Sequence, residues 1–313
     1  NQHTSAVTTL TVNNVAPIVA LNAVSAINEN TSATLTGTIT DPGQKDTHTL
    51  TIDWDDANNT VDSVFNIPAT DTLSVNDTVT STGADTSTVL TITAVNTATG
   101  VIEFSLSHLY LDDGASAGGG NATTSDVSAI TATVTDDENA MGTDSENLTV
   151  NNVAPTASLN AIAAINENTN ATLTGTFTDT GTSDTHTVTI DWNDPLNGND
   201  SVFGIGATSG LSVNDTFTST GADTSTVLTI TSVNTGTGVV GFSVEHLYAD
   251  DNTDGTASDD YTVNVTVADD DGATAAVQSQ TVTVNNVNPV ANDDTDSTDE
   301  GTALTITLAS LLS

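Results

Sequence analysis

The chain has 313 residues, no cysteine, and 41 Asp plus Glu against a single Lys or Arg, for a formal net charge of −40. That balance excludes nucleic acid as a partner, because binding it needs clustered Lys and Arg, and excludes attraction to anionic membrane surfaces for the same reason. Apolar content of 36% with only 4% aromatics allows lean aliphatic cores, and an abundance of Thr, Val, Ile, Asn, Asp and Gly points to strands joined by turns.

Taken in chain order, alternation and turn signals divide the first stretch into short strands. Strand A is expected near Ala16 to Ala23, strand B near Ala33 to Thr40, and strand C over Thr47 to Trp54 with Leu50, Ile52 and Trp54 on one face. A short strand follows over Ser63 to Ile67, then a hairpin near Leu73 to Thr80 and Thr88 to Val95. Strand E is expected over Val101 to Ser107, with Ile102, Phe104 and Leu106 on one face, strand F over Val127 to Thr135, and strand G over Ser145 to Val150.

The same order then repeats. TVNNVAP begins at Thr11 and at Thr149, an offset of 138 (149 minus 11), and INENT, DTHT, TIDW, SVND, STGADTSTVLTIT and HLY recur at that offset. Val-Asn-Asn-Val appears a third time from Val284, where the offset has shrunk to 134 (284 minus 150). The expected organisation is the last strand of a preceding repeat over residues 1–14, full repeats over 15–151 and 152–285, and the start of a third, different repeat over 286–313. The chain thus reads as a piece of a longer end-to-end array, in which only neighbours touch. Period-two alternation without a helical run predicts all-β, tandem Ig-like β-sandwiches.

The order of Pro17 in a first strand, Trp54 before an acidic turn, His108-x-Tyr110, then TATVTDDEN and a closing strand resembles the PKD Ig-like domain. The turn departs from that family's pattern, reading Trp54-Asp55-Asp56 and Trp192-Asn193-Asp194 without the usual Phe and Gly, and each repeat is longer by its extra hairpin. The tail from Asn288 resembles the opening of cadherin-like repeats of large bacterial surface proteins. These resemblances imply an extracellular, calcium-rich, multidomain adhesin, surface layer or fibre.

So much like charge opposes compaction, and the chain lacks the cations to cancel it. Bound metal, high salt or wide spacing must do so. Strand parity places alternate loops at opposite ends of a sandwich. At the bottom of repeat one it groups Glu29, the run after Trp54, Asp112 and Asp113, joined by Asn151 and Asn152 of the linker. At the top of repeat two it groups Asp179, Asp269, Asp270 and Asp271. These oxygens are expected to meet at one junction and to bind Ca²⁺, which takes roughly six to eight oxygen ligands. The equivalent sets are Asn13, Asn14, Asp41, Asp136 and Asp137 at the start of repeat one, and Glu167, Asp250, Asp251, Asn285 and Asn286 at the end of repeat two. A halophile-style solvated acidic surface is the competing reading of the same residues.

Catalytic signatures are missing. His48, His186, His108 and His246 recur with the fold and read as packing or hydrogen-bonding residues; Trp54 and Trp192 read as core, and Tyr110 and Tyr248 as corner tyrosines. The Ser residues are scattered in low-complexity context, the single G-x-S-x-G match over Gly114 to Gly118 included, and two Trp give little of the aromatic platform a glycosidase cleft uses. Asn-x-Ser/Thr sequons, for example at Asn76, Asn121 and Asn147, follow from a composition rich in Asn and Thr. The expected function is a non-enzymatic, calcium-binding, extracellular or cell-surface repeat protein forming a stiff fibre, sheath, surface layer or adhesin stalk. Its expected partners are Ca²⁺, neighbouring subunits or repeats and surface glycans, with no insertion into a membrane. The alternative is a spacer or carbohydrate-contacting module of a large secreted enzyme.

Overall fold

Threonine alternates with apolar residues along most strands, so each strand has one face that seeks a core and one that tolerates water. In the computed structural model, which describes residues 10–114, 123–252, 255–288 and 299–303, that pattern resolves into two similar β-sandwiches. The first is built from β1 (Ile18–Leu21), β2 (Ile27–Asn28), β3 (Thr31–Thr40), β4 (His48–Asp53), β5 (Ser63–Ile67), β6 (Thr78–Thr80), β7 (Val89–Asn96), β8 (Val101–Tyr110), β9 (Ser125–Asp136) and β10 (Met141–Asn151). The second repeats the order as β11 (Thr156–Leu159), β12 (Ile165–Asn166), β13 (Thr169–Thr178), β14 (His186–Asp191), β15 (Ser201–Ile205), β16 (Thr216–Thr218), β17 (Val227–Asn234), β18 (Val239–Tyr248), β19 (Ser258–Asp269) and β20 (Gln278–Asn285).

Each unit packs a sheet of order β1-β3-β8-β7-β6 against one of order β2-β10-β9-β4-β5, and unit two has the matching pair. This is an all-β, Ig-like sandwich, repeated. The core lies between the sheets. Leu35, Ile39, Ile102 and Phe104 from one side meet Leu50, Ile52, Phe65, Ile130 and Val134 from the other, all buried. Leu173, Phe177, Val240 and Phe242 meet Val188, Ile190, Phe203, Val265 and Val267 in unit two.

A polar clamp ties the sheets together at one end of each core. Trp54 Nε1 donates to Ser63 Oγ at 2.9 Å, and the His108 ring stacks on the indole with centroids 4.6 Å apart. Tyr110 donates its hydroxyl to the Trp54 carbonyl at 2.7 Å, and His108 Nε2 meets Asp56 Oδ2 at 2.9 Å. Unit two has the same set: Trp192 to Ser201 at 3.0 Å, Tyr248 to the Trp192 carbonyl at 2.8 Å, and His246 to Asp194 at 3.1 Å. The recurring His, Trp and Tyr are therefore packing and hydrogen-bonding residues. The tyrosines serve as bridges across the sandwich rather than as corners to a nearby turn.

Two expectations about strands need correction. The first strand does not run from Ala16 to Ala23. After pairing with β3 as Ile18–Leu21 the chain leaves that sheet and returns as β2, which pairs parallel with β10 through Ile27 with Val150 and Asn28 with Asn151. The hairpin has a shorter first arm than expected, because Thr70–Thr72 forms a 3₁₀ turn and only Thr78–Thr80 pairs with β7. Residues 10–17 form no strand, and the rest of the leading segment, like most of residues 286–313 where a third repeat is expected to start, lies outside the described residues.

The outer edge of β5 is covered. Val64 N donates to Ser81 Oγ at 3.0 Å and Thr82 N donates to the Val64 carbonyl at 2.8 Å, an arrangement repeated by Val202, Ser219 and Thr220. Edges blunted in this way do not recruit foreign strands. Among the described residues no helix is long and apolar enough to cross a membrane.

Candidate metal centre at the junction of the two units

The loops that end strands on the lower side of unit one meet the loops that begin strands on the upper side of unit two. Glu29 sits in the tight turn between β2 and β3, where Asn30 adopts a left-handed φ of 52°. The turn is fixed from two sides: Glu29 N donates to the Asn151 carbonyl at 3.0 Å, and Val153 N, just past the linker, donates to Glu29 Oε1 at 2.6 Å. Asn30 Nδ2 reaches across to the Thr180 carbonyl of unit two at 2.9 Å. Asp112 and Asp113 follow β8 directly. From unit two, Asp184 comes from the loop before β14, and Asp270 and Asp271 from the turn after β19, where Thr185 N donates to Asp270 Oδ1 at 2.8 Å.

Three sets of carboxylates place one oxygen each within 4.8 Å of the others: Glu29, Asp112 and Asp184; Asp112, Asp113 and Asp271; and Asp184, Asp270 and Asp271. Asp112, Asp184 and Asp271 each belong to two sets, so the six acids form one corner-shared cluster with contributions from both units. Glu29 is 0% exposed, Asp184 1%, Asp271 2% and Asp113 4%. Within this enclosed space Glu29 Oε2, both oxygens of Asp113 and both oxygens of Asp184 have no hydrogen-bond partner.

Burial raises the carboxyl of Glu29 to about 8, offset in part by the Val153 amide and reinforced by Asp179, Asp113 and Asp112. Burial, then Asp271 and Asp112, lifts Asp113 to about 7. Burial, then Glu29, Asp179, Asp112 and Asp270, lifts Asp184 to about 10. The common cause is desolvation next to like charge. Lys45 gives no relief, since it pairs with Asp71 at the surface.

The other expected ligands have other placements. Asp41 and Asp179 each give Oδ2 to a histidine, His48 at 2.9 Å and His186 at 3.0 Å, and Oδ1 to the amide of Gly43 or Gly181. Asp136 and Asp269 use Oδ1 to close their own turns, on the amides of Ala140 and Ala273 at 2.8 and 2.7 Å, and Oδ2 to hold the linker amides of Asn14 and Asn152. Asn151 and Asn285 give their Nδ2 to the carbonyls of Ile27 and Ile165, both at 2.8 Å, which fixes β2 and β12 in place. Asn13 is exposed, and Asn286 N bonds the Ala257 carbonyl. Asp137 lies in an exposed set with Asp46 and Glu138, and Glu167, Asp250 and Asp251 lie together at the far end of unit two.

Asp184 escaped the sequence reading, although DTHT begins at Asp46 and again at Asp184. The repeat was the signal that marked it. Its loop also needs glycine. A Cβ on Gly181 would lie 2.2 Å from Asp184 Oδ2 and 2.5 Å from Glu29 Oε2, so an alanine side chain would occupy the space the two carboxylates share.

No protein-family model and no curated protein matches the sequence. Among solved structures the chain is similar to the fibronectin(III)-like modules of Clostridium thermocellum CbhA, with 11% identity and a TM-score of 0.24, covering 86% of this chain and 95% of that one. It is also similar to a marsupial T cell receptor, with 11% identity and a TM-score of 0.29, covering 88% and 75% of the two chains. Likenesses this distant carry no functional argument, and the reading of the junction rests on its own residues.

Proposed function

We propose that the cluster between the units is a calcium centre, and that the chain is a non-enzymatic, extracellular array whose units are locked in line by that metal. The observation that carries this reading is the set of buried, unpartnered oxygens on Glu29, Asp113 and Asp184. An ionised carboxylate taken out of water without a partner is costly, and the one Lys or Arg of the chain, Lys45, pairs with Asp71 instead. The donors are all oxygen, with neither His nor Cys in the cluster, which suits a hard cation over zinc or copper. Ca²⁺ tolerates six to eight oxygens in irregular geometry at about 2.3–2.6 Å, whereas Mg²⁺ demands a near-octahedral shell and keeps its waters. A single divalent ion leaves most of six carboxylates unbalanced, so the corner-shared arrangement calls for more than one ion.

Charge then becomes a switch for stiffness. With cation bound, Glu29, Asp112 and Asp113 of unit one share ligation with Asp184, Asp270 and Asp271 of unit two, and the linker between Asn151 and Val153 is pinned. Without it, like charges push the units apart. Small-angle scattering with Ca²⁺ and with chelator tests this directly. The expected result is a narrower distribution of end-to-end distances with Ca²⁺; identical profiles in both conditions, with no cation bound, would overturn the reading.

A further inference from the structure

The two units are near copies, yet the turn after each core Trp ends differently. In unit one it reads Trp54-Asp55-Asp56-Ala57-Asn58-Asn59-Thr60, and in unit two Trp192-Asn193-Asp194-Pro195-Leu196-Asn197-Gly198. Both turns close in the same way. Asn59 N donates to the Asp56 carbonyl at 3.1 Å, and Asn197 N donates to the Asp194 carbonyl at 3.2 Å. Asp56 and Asp194 then hold the clamp histidines, His108 and His246. What differs is the residue after the asparagine: threonine in unit one, glycine in unit two. Asn197-Gly198 is the only Asn-Gly step in the sequence.

That step is open on every side. Gly198 is exposed, and a Cβ built on it would meet only the Asp194 carbonyl oxygen, 4.0 Å away. Among the described residues Gly198 N makes no backbone hydrogen bond. Asn199 Nδ2 donates to Asn197 Oδ1 at 3.2 Å, which draws electron density from the Asn197 Cγ. Asn197 lines an open groove with Asn170, Ser225 and Glu245, so water reaches it. Glycine also has the backbone freedom to swing its nitrogen toward the preceding side chain. Thr60 is β-branched and stiff, and crowds the same approach to Asn59.

We infer that Asn197 is a site of spontaneous deamidation and that its counterpart Asn59 is protected. Gly198 N gives its proton to hydroxide and attacks Asn197 Cγ. A C–N bond forms, the Cγ–Nδ2 bond breaks, and the amide nitrogen leaves as ammonia after taking a proton from water. The product is a five-membered imide. Water then opens it at Cγ to leave aspartate, or at the main-chain carbonyl to leave isoaspartate, with nothing oxidised or reduced. Either product adds one negative charge to unit two. Isoaspartate also lengthens the main chain by one carbon in the turn that presents Asp194 to His246. Two copies of one fold therefore age differently, and the younger-looking one is unit one.

Incubating the folded full chain in warm, mildly alkaline buffer tests this. Mass spectrometry of fragments cut at acidic residues reads each asparagine separately. Holding a residue with a side chain in a sparsely populated backbone conformation costs about 1–3 kcal/mol, so conversion at Asn197 is expected to outrun that at Asn59 by about tenfold or more. Ammonia should appear in equal amount, and isoaspartyl methyltransferase should label the fragment that holds residue 197. Gly198→Ala, which has room for its methyl group, should slow Asn197 toward the Asn59 rate. Thr60→Gly should speed Asn59 in the other unit. Equal rates at Asn197 and Asn59 in the folded chain would overturn the inference. So would an unchanged rate in Gly198→Ala, or conversion of Asn197 only in denaturant, which would mean that the folded turn forbids the attack.

Discussion

Glu29 of unit one and Asp184 of unit two bring carboxylate oxygens within 4.8 Å of each other, yet neither Glu29 Oε2 nor either Asp184 oxygen has a hydrogen-bond partner. Groups that repel are held together by everything around them: the Asn151 carbonyl on Glu29 N, the Asn30 contact to Thr180, and two well-packed cores.

Removing the cation is expected to lower stability. A ligand at about a hundred times its dissociation constant adds roughly 2.7 kcal/mol, which for units of this size corresponds to a melting shift on the order of 10 °C. Calorimetry with Ca²⁺ and with chelator measures it. Asp184→Asn is expected to remove most of the shift, and a full shift in that variant would show that the ion binds elsewhere.

Acidity is expected to stabilise the metal-free chain. Glu29, Asp113 and Asp184 have ordinary values of 4.5, 3.8 and 3.8 and rise in the folded state to about 8, 7 and 10. Between those limits the folded chain binds more protons than the unfolded one, so stability falls as pH rises from about 4 through 8 and beyond. In chelator the melting temperature should therefore drop between about pH 5 and pH 8. Ca²⁺ should flatten the slope, because metal replaces protons and binds more tightly as pH rises. Asp184→Asn separates this effect from general repulsion: the slope in chelator should shrink. An unchanged slope would remove the cluster as its source.

Gly181→Ala is expected to weaken calcium binding by about tenfold or more, the range over which displacing a supporting group typically acts on a metal site, while the metal-free sandwich stays folded. Gly210→Ala is the control, since nothing lies within 4 Å of a Cβ there. Isothermal titration of both variants decides it; equal affinities would mean the loop gives way without disturbing Glu29 and Asp184.

The clamp residues should act on stability and not on metal. Trp192→Ala empties a fully buried site and is expected to cost about 3–5 kcal/mol. Tyr248→Phe leaves the Trp192 carbonyl without its donor, at about 1–3 kcal/mol. Denaturant titration of unit two checks both, with calcium affinity of the Tyr248→Phe protein unchanged.

Much of this architecture was legible before any coordinates. Strict alternation placed Leu50, Ile52 and Trp54 on one buried face and Ile102, Phe104 and Leu106 on another, because period two leaves a half-buried strand no choice. Parity of strands was enough to send Glu29, Asp112 and Asp113 to the end of unit one that faces Asp270 and Asp271 of unit two. What could not be read depends on contacts distant in sequence. Ile27–Asn28 is too short to show a pattern, and its pairing with β10 arises only once the sandwich closes. Asp184 looks like any turn acid until unit one covers it. Asp41 and Asp179 resemble free ligands in the sequence, but a histidine seven positions onward claims each of them.

The parallel pairing of β2 with β10 has a mechanical consequence. The second strand of a unit and the strand leaving it lie side by side and point the same way. Tension along an array pulls these neighbours in opposite directions along their length, so the load falls on all their bonds at once instead of peeling them singly. A string of such units resists stretching at that parallel pair, which shields the core behind it.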